Sequence, residues 1–151
     1  MATWIEDSAL QKSLIDQMMY VSMRFSRQIL HTDLLMDRFG MPMSEIQLLF
    51  AASEKDYTIG ELADYMGVHK PNVAPIVNAL VKKGYIERVA SETDGRKIYV
   101  HSLPEGKKCI EQIRSCICEQ LIQKHGVQGN GDAKNLNKAL GTLVRTMKTH
   151  N

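Results

Sequence analysis

The forty residues TIGELADYMGVHKPNVAPIVNALVKKGYIERVASETDGRK, Thr58 to Lys97, constrain this chain more than any other part of it. Thr58 and Glu61 have the spacing of a capping box, in which the threonine hydroxyl accepts an amide of the first turn and the glutamate reaches back to the cap. A helix therefore begins at Thr58. It turns Ile59, Leu62, Ala63 and Met66 to one side and ends at Gly67, a residue suited to the left-handed conformation of a helix terminus. After a short turn, Val73, Ile76, Val77, Leu80 and Val81 form the buried stripe of a second helix that Gly84 closes. Two alternating segments, Tyr85 to Val89 and Arg96 to His101, flank SETDG and predict an antiparallel hairpin with a polar tip.

Proline complicates the second helix. Pro75 has no amide to donate, so it belongs in a first turn, and the expectation is a helix that starts at Asn72 as cap. The face opposite the stripe then presents Asn72, Ala74, Pro75, Asn78, Ala79 and Lys82.

A helix pair followed by a hairpin is the layout that lays one helix in a DNA major groove with a wing beside it. The residues Glu61-Leu62-Ala63, Gly67-Val68, Val73, Val77, Leu80, Lys83-Gly84-Tyr85 and Asp94-Gly95-Arg96 stand in order and at spacing. On them, residues 44 to 108 resemble the winged helix-turn-helix of the MarR family of bacterial transcription regulators. The resemblance implies a mainly α fold with a small β-hairpin and long terminal dimerisation helices. It also implies a cytoplasmic homodimer that binds double-stranded DNA at a pseudo-palindromic operator, most often as a ligand-responsive repressor. Arg96, steadied by Asp94, would enter the minor groove. Lys82, Lys83 and Lys97 would meet phosphates, and Asn72, Ala74, Pro75 and Asn78 would face the major groove, with Asn78 able to pair with adenine. The family often has Ser, Thr or Arg where this helix has Ala and Pro. The alternative is therefore a winged-helix protein-binding or ligand-binding module without specific DNA reading.

Overall charge does not decide between these. The net charge of +2 is small, although residues 67 to 97 hold six Lys or Arg against three acids. At 151 residues, 44% hydrophobic and 24% charged, the chain is expected to be one MarR-like domain, 1–151. Its winged lobe is expected over 44–102 and dimerisation helices over 8–38 and 103–149. Neither a membrane span nor a signal peptide is legible.

Ser8 and Gln11, Ser44 and Gln47, and Ser102 and Glu105 repeat the capping-box spacing and set the expected starts of three further helices. Leu14, Met18, Val21 and Phe25 alternate at four and three residues along the first, expected to reach Asp37 before Gly40 and Pro42 break it. Ile110, Ile113, Ile117 and Leu121 stripe the fifth. The glycine-rich GVQGNGD reads as a loop, and a last helix from Asp132 carries Leu136, Ala139, Leu140, Leu143, Val144 and Met147. Leu14, Met18, Val21, Leu136, Leu140, Leu143 and Met147 are the dimerisation candidates.

Six of nine methionines lie between residues 18 and 43. Methionine suits adaptable pockets, and the family's habit of binding small aromatic or phenolic effectors makes Met18, Met19, Met23 and Met43 candidate pocket residues. Cys109, Cys116 and Cys118 fit a reducing compartment, with buried, inert thiols as the leading reading. They cannot all face one ion from a single helix. The five histidines form no H-x-x-x-H or H-E-x-x-H pair and no phosphate loop appears, so no cofactor, metal site or enzyme activity is expected.

Overall fold

A computed structural model describes residues 5–148, and the chain is predominantly helical over them. The order is α1 (Ser8–Arg24), a π-helical turn (Phe25–Ile29), α2 (Thr32–Phe39), α3 (Met43–Glu54), β1 (Tyr57–Thr58), α4 (Ile59–Met66), α5 (Lys70–Lys82), β2 (Ile86–Ala90), β3 (Ile98–Ser102), α6 (Pro104–His125) and α7 (Gly129–Lys148). The strands form one antiparallel sheet in the order β1-β3-β2, with Arg88 opposite Val100 and Tyr57 opposite Val100 on the other side. β1 is too short to leave an alternation in the sequence, and only its pairing with β3 defines it.

The core belongs to the lobe between α2 and the first half of α6. Leu35, Met41, Leu48, Leu49, Leu62, Val73, Val77, Leu80, Ile86, Val100, Ile110 and Ile113 are fully buried there. The expected stripe of α5 is therefore its packed face, with Ile76 and Val81 at the margin. The Thr58 capping box forms as expected: Glu61 N–H donates to the threonine hydroxyl at 3.2 Å and Thr58 N–H to the glutamate at 2.8 Å. That amide, with the carboxylate as acceptor, is the main reason Glu61 titrates below the ordinary glutamate value.

Where α6 begins, it crosses the turn after α5 at close range. Leu103 N–H donates to the Tyr85 carbonyl at 2.9 Å, and buried Gly106 leaves room for that carbonyl.

Several expected boundaries differ. The first helix does not run unbroken: after Arg24 one wider turn closes with Leu30 N–H to the Phe25 carbonyl at 3.1 Å, and His31 stands in the left-handed region before α2. Asp7, not Ser8, caps α1, because its carboxylate accepts the amides of both Ala9 and Leu10. Pro42 precedes α3 and Leu103 precedes α6, neither with a side-chain cap, so the Ser44 and Ser102 boxes do not form. The Ser102 hydroxyl is buried without a partner among the described residues. α7 starts at Gly129 rather than Asp132, whose carboxylate instead reaches back to the Gln128 amide at 2.9 Å. Residue 149, the last of the expected dimerisation segment 103–149, lies outside the described residues, as do the first residues of the 1–151 span.

No residue of α1 or α7 is buried within the chain. Leu14, Met18 and Val21 on α1, and Leu136, Leu140, Leu143 and Met147 on α7, are all exposed, which leaves two long apolar faces without cover. No helix among the described residues is long and apolar enough to cross a membrane.

Candidate nucleic-acid interface

α5 is held by its apolar stripe and by both ends, so its outer face is fixed relative to the sheet. His69 stands before it in extended conformation, and Asn72 N–H bonds the His69 carbonyl at 2.9 Å. The helix thus begins at Lys70, earlier than expected, with Pro71 in its first turn and Pro75 inside it. Pro75 leaves the Pro71 carbonyl without its usual helical donor. Val73, one turn into the helix and fully buried, supplies the anchorage that offsets this defect. Asn72, Ala74, Pro75, Asn78 and Lys82 are all exposed on the outer face, and Ala79 is half-buried.

The far end of the helix is tied down by Lys83. Its ammonium bonds the Glu45 carboxylate and the Gly40 carbonyl, the latter at 3.1 Å, so it joins α5 to the α2–α3 corner. Lys83 is not a free surface cation, and its expected phosphate contact gives way to this ion pair with nearly buried Glu45.

The wing tip is shaped by its own polar side chains. The Ser91 hydroxyl accepts the amides of Thr93 and Asp94 at 3.3 and 3.2 Å, and the Asp94 carboxylate accepts the amide of Arg96 at 3.1 Å. Ser91 N–H to the Lys97 carbonyl and Lys97 N–H to the Asp94 carbonyl, both 2.9 Å, close the loop. Asp94 thus holds Arg96 through the main chain, not through the guanidinium. The Arg96 and Lys97 side chains extend from an ordered turn and are exposed.

One residue not expected in the site joins helix and wing. Arg88 lies on β2 two residues beyond buried Ile86, on the same side of the strand, and its Nη2 donates to the Asn78 side-chain oxygen. Strand alternation was the available signal, since Ile86 facing the core carries Arg88 toward α5. The amide of Asn78 is therefore oriented, with its NH₂ left for another acceptor.

Behind α5, a crevice of about 300 Å³ opens between the π turn, α3, α4 and α6, lined by Leu30, Met43, Ile46, Phe50, Tyr65 and Ile117 among others. Met43 is the one expected pocket residue in it. Met18, Met19 and Met23 lie exposed along α1 and outside this lining.

Cys109, Cys116 and Cys118 are free thiols on α6, the first two buried and Cys118 exposed, so the expectation of buried thiols fails for Cys118. Burial pushes the Cys109 thiol above its ordinary value, against a hydrogen bond with Tyr85 and the nearby Lys83 charge.

Comparison with known proteins agrees with this geometry. Residues 39–97 match the model of the MarR family. An uncharacterized HTH-type transcriptional regulator of Bacillus subtilis, YsmB, is 33% identical over 58 residues, a stretch covering 38% of this chain and 40% of that relative. The crystal structure of the transcriptional regulator BldR from Sulfolobus solfataricus superposes with a TM-score of 0.70 at 18% identity, over 95% of this chain and 99% of that one. CouR from Rhodococcus jostii, solved bound to p-coumaroyl-CoA, superposes with a TM-score of 0.65 at 13% identity, over 82% of this chain and 88% of that one. The family match over residues 39–97 takes in α5, β2 and the wing tip, and the likeness of fold to the solved regulators extends to the terminal helices: the chain has a winged helix-turn-helix lobe flanked by long terminal helices.

Proposed function

We propose that this protein is a sequence-specific DNA-binding regulator that acts as a homodimer on a pseudo-palindromic operator and responds to a small ligand, most simply as a repressor in the cytoplasm. The observation that carries the reading is the exposed Asn78–Arg88 pair that joins α5 to β2, with Asn72 exposed on the same helix and Arg96 exposed at the wing tip. In two copies, the α5 helices would enter successive major grooves about one helical turn apart and the Arg96 guanidinia the flanking minor grooves. Lys82, Lys97 and Lys70 are positioned for phosphates, which give affinity without sequence information.

Dimerisation through α1, α6 and α7 is supported by the apolar faces left exposed on the terminal helices. Patches of that extent are uncommon on a monomer and mark association surfaces. The apolar crevice beside Met43 is the proposed effector site, and its lining suits a small aromatic or phenolic molecule. A ligand there touches the π turn, α3 and α6 together, and shifts the dimer between separations of its reading heads by its differential affinity for them.

The adaptor reading retains one observation in its favour, the Ala74 and Pro75 surface of α5 with no arginine of its own. Selection of bound sequences from random duplex DNA separates the two. Recovery of a palindromic consensus supports the regulator, and recovery of no enriched sequence at low salt rejects it.

A further inference from the structure

Away from the winged lobe, two histidines 94 positions apart meet at the junction of the terminal segments. His31 lies between the π turn and α2, and His125 is the last residue of α6. Their Nε2 atoms are 3.1 Å apart, with ring centroids at 5.3 Å and the rings tilted by 37°.

His31 is the one non-glycine residue with positive φ among the described residues, at 51°. Histidine, like asparagine and aspartate, visits this left-handed region more readily than most residues. His31 occupies the cap position of α2, yet its side chain bonds none of that helix's amides. Capping therefore does not account for the conformation. What the backbone achieves is to aim the imidazole at His125.

We infer that His31 and His125 form a two-imidazole clamp for a divalent transition metal of the zinc, nickel or copper class. Two nitrogens bound to one tetrahedral zinc at about 2.0–2.1 Å stand about 3.3 Å apart, and two neighbouring nitrogens of a square-planar copper or nickel site about 2.9 Å apart. Without metal the 3.1 Å contact is an imidazole–imidazole hydrogen bond with the two rings pointing at each other, so a metal displaces the shared proton and turns both rings toward a common point. Ligation requires neutral imidazole.

The donor set also limits the metal and its affinity. Imidazole excludes calcium and magnesium, which take oxygen ligands. Among the described residues no group of three or more His, Cys, Asp or Glu converges on a point, so water completes the coordination, and adjacent Lys124 opposes the cation. Both features make the site exchangeable rather than structural. A metal bound here fastens the entry of α2 to the end of α6, where the chain turns into α7.

The test uses the metal-free full chain titrated with zinc sulfate and with nickel chloride, followed by calorimetry and by thermal unfolding. The expected result is one site per chain in the micromolar range and a rise in Tm with metal, because the ion binds the folded chain selectively. His31→Asn, which keeps a residue tolerant of the backbone angle, and His125→Gln should each weaken binding by about tenfold or more. Cys118→Ser and His69→Gln should leave it unchanged, and magnesium should not bind. Absence of zinc and nickel binding at 100-fold the protein concentration, or unchanged binding in His31→Asn, would overturn the assignment, as would loss of binding in Cys118→Ser or His69→Gln.

Discussion

Replacing Gly106 by alanine tests the packing of α6 against the winged lobe at a single atom. A Cβ at this position would stand 2.2 Å from the Tyr85 carbonyl oxygen, 3.0 Å from its carbon and 3.1 Å from the Ser102 hydroxyl. The first distance falls more than about 1 Å inside ordinary contact. Two of the three atoms are backbone, so no side-chain rotation relieves the clash. Overpacking of this kind costs about 1–3 kcal/mol. The shift also strains the bond from Leu103 N–H to the Tyr85 carbonyl, whose loss costs about 1 kcal/mol. Alanine recovers about 1 kcal/mol of helix propensity over glycine. The net expectation is a loss of about 1–3 kcal/mol, which at roughly 2–4 °C per kcal/mol for a chain of this size lowers Tm by about 2–12 °C. Thermal and urea unfolding at one fixed protein concentration, with Gly60→Ala as control, provides the assay. Gly60 is also helical, but the nearest atom to its Cβ is the Thr58 hydroxyl at 4.0 Å, so alanine there should be neutral or stabilising. A Gly106→Ala protein as stable as the parent would refute the close-approach argument.

Other consequences are equally concrete. Arg96→Ala should weaken operator binding by about 1–3 kcal/mol and flatten its salt dependence without lowering Tm; unchanged affinity would remove the wing from the interface. In a double-mutant cycle on operator binding, Asn78→Ala and Arg88→Ala should be non-additive by about 0.5 kcal/mol or more, since the arginine orients the amide, and strict additivity would separate them. Cys118 should react with an aromatic disulfide reagent in the folded state, while Cys109 and Cys116 react only on unfolding. Three equally fast thiols would contradict the burial. Leu140→Glu should shift a sedimenting dimer to monomer at micromolar concentration with the lobe still folded, and a persistent dimer would place the interface elsewhere.

The parts of the fold legible in the sequence are those written by local rules. The Thr58 and Glu61 box, the Gly67 stop and the Val73-Val77-Leu80 stripe each depend on residues within two turns of one another, and all recur in the structure. Where local rules misled, a longer-range force outweighed them. Proline sterics alone start α5 at Asn72, but packing of Val73 holds the helix together from Lys70. The loop expected at residues 126–132 is present but shorter: Gly126 ends α6 in the left-handed region, whereas α7 takes in Gly129 and Gly131, and the Asp132 carboxylate satisfies the Gln128 amide at its N-terminal end. The turn at His31 contains neither glycine nor proline and leaves no signal of its own. The site divides in the same way. Exposure of Asn72, Ala74, Asn78 and Lys82 follows from the period of one helix. The Asn78–Arg88, Lys83–Glu45 and His31–His125 pairs join separate elements, and no spacing along the chain announces them.

The π turn at Phe25–Ile29 acts as a rotary setting for the first helix. Its closure from Leu30 to Phe25 spans five residues, where an α-helix would span four, so one residue is accommodated without adding to the regular winding. Winding the same residues as ordinary α-helix would give the surplus residue its own share of rotation. Every side chain of α1 would then swing by about 100° around the axis relative to α2. Leu14, Met18 and Val21 would keep their spacing, their exposure and their composition, and would point toward the wrong neighbour. The phase between α1 and the lobe is thus stored in one surplus residue, and two chains with the same apolar stripe but different turns would not be interchangeable partners.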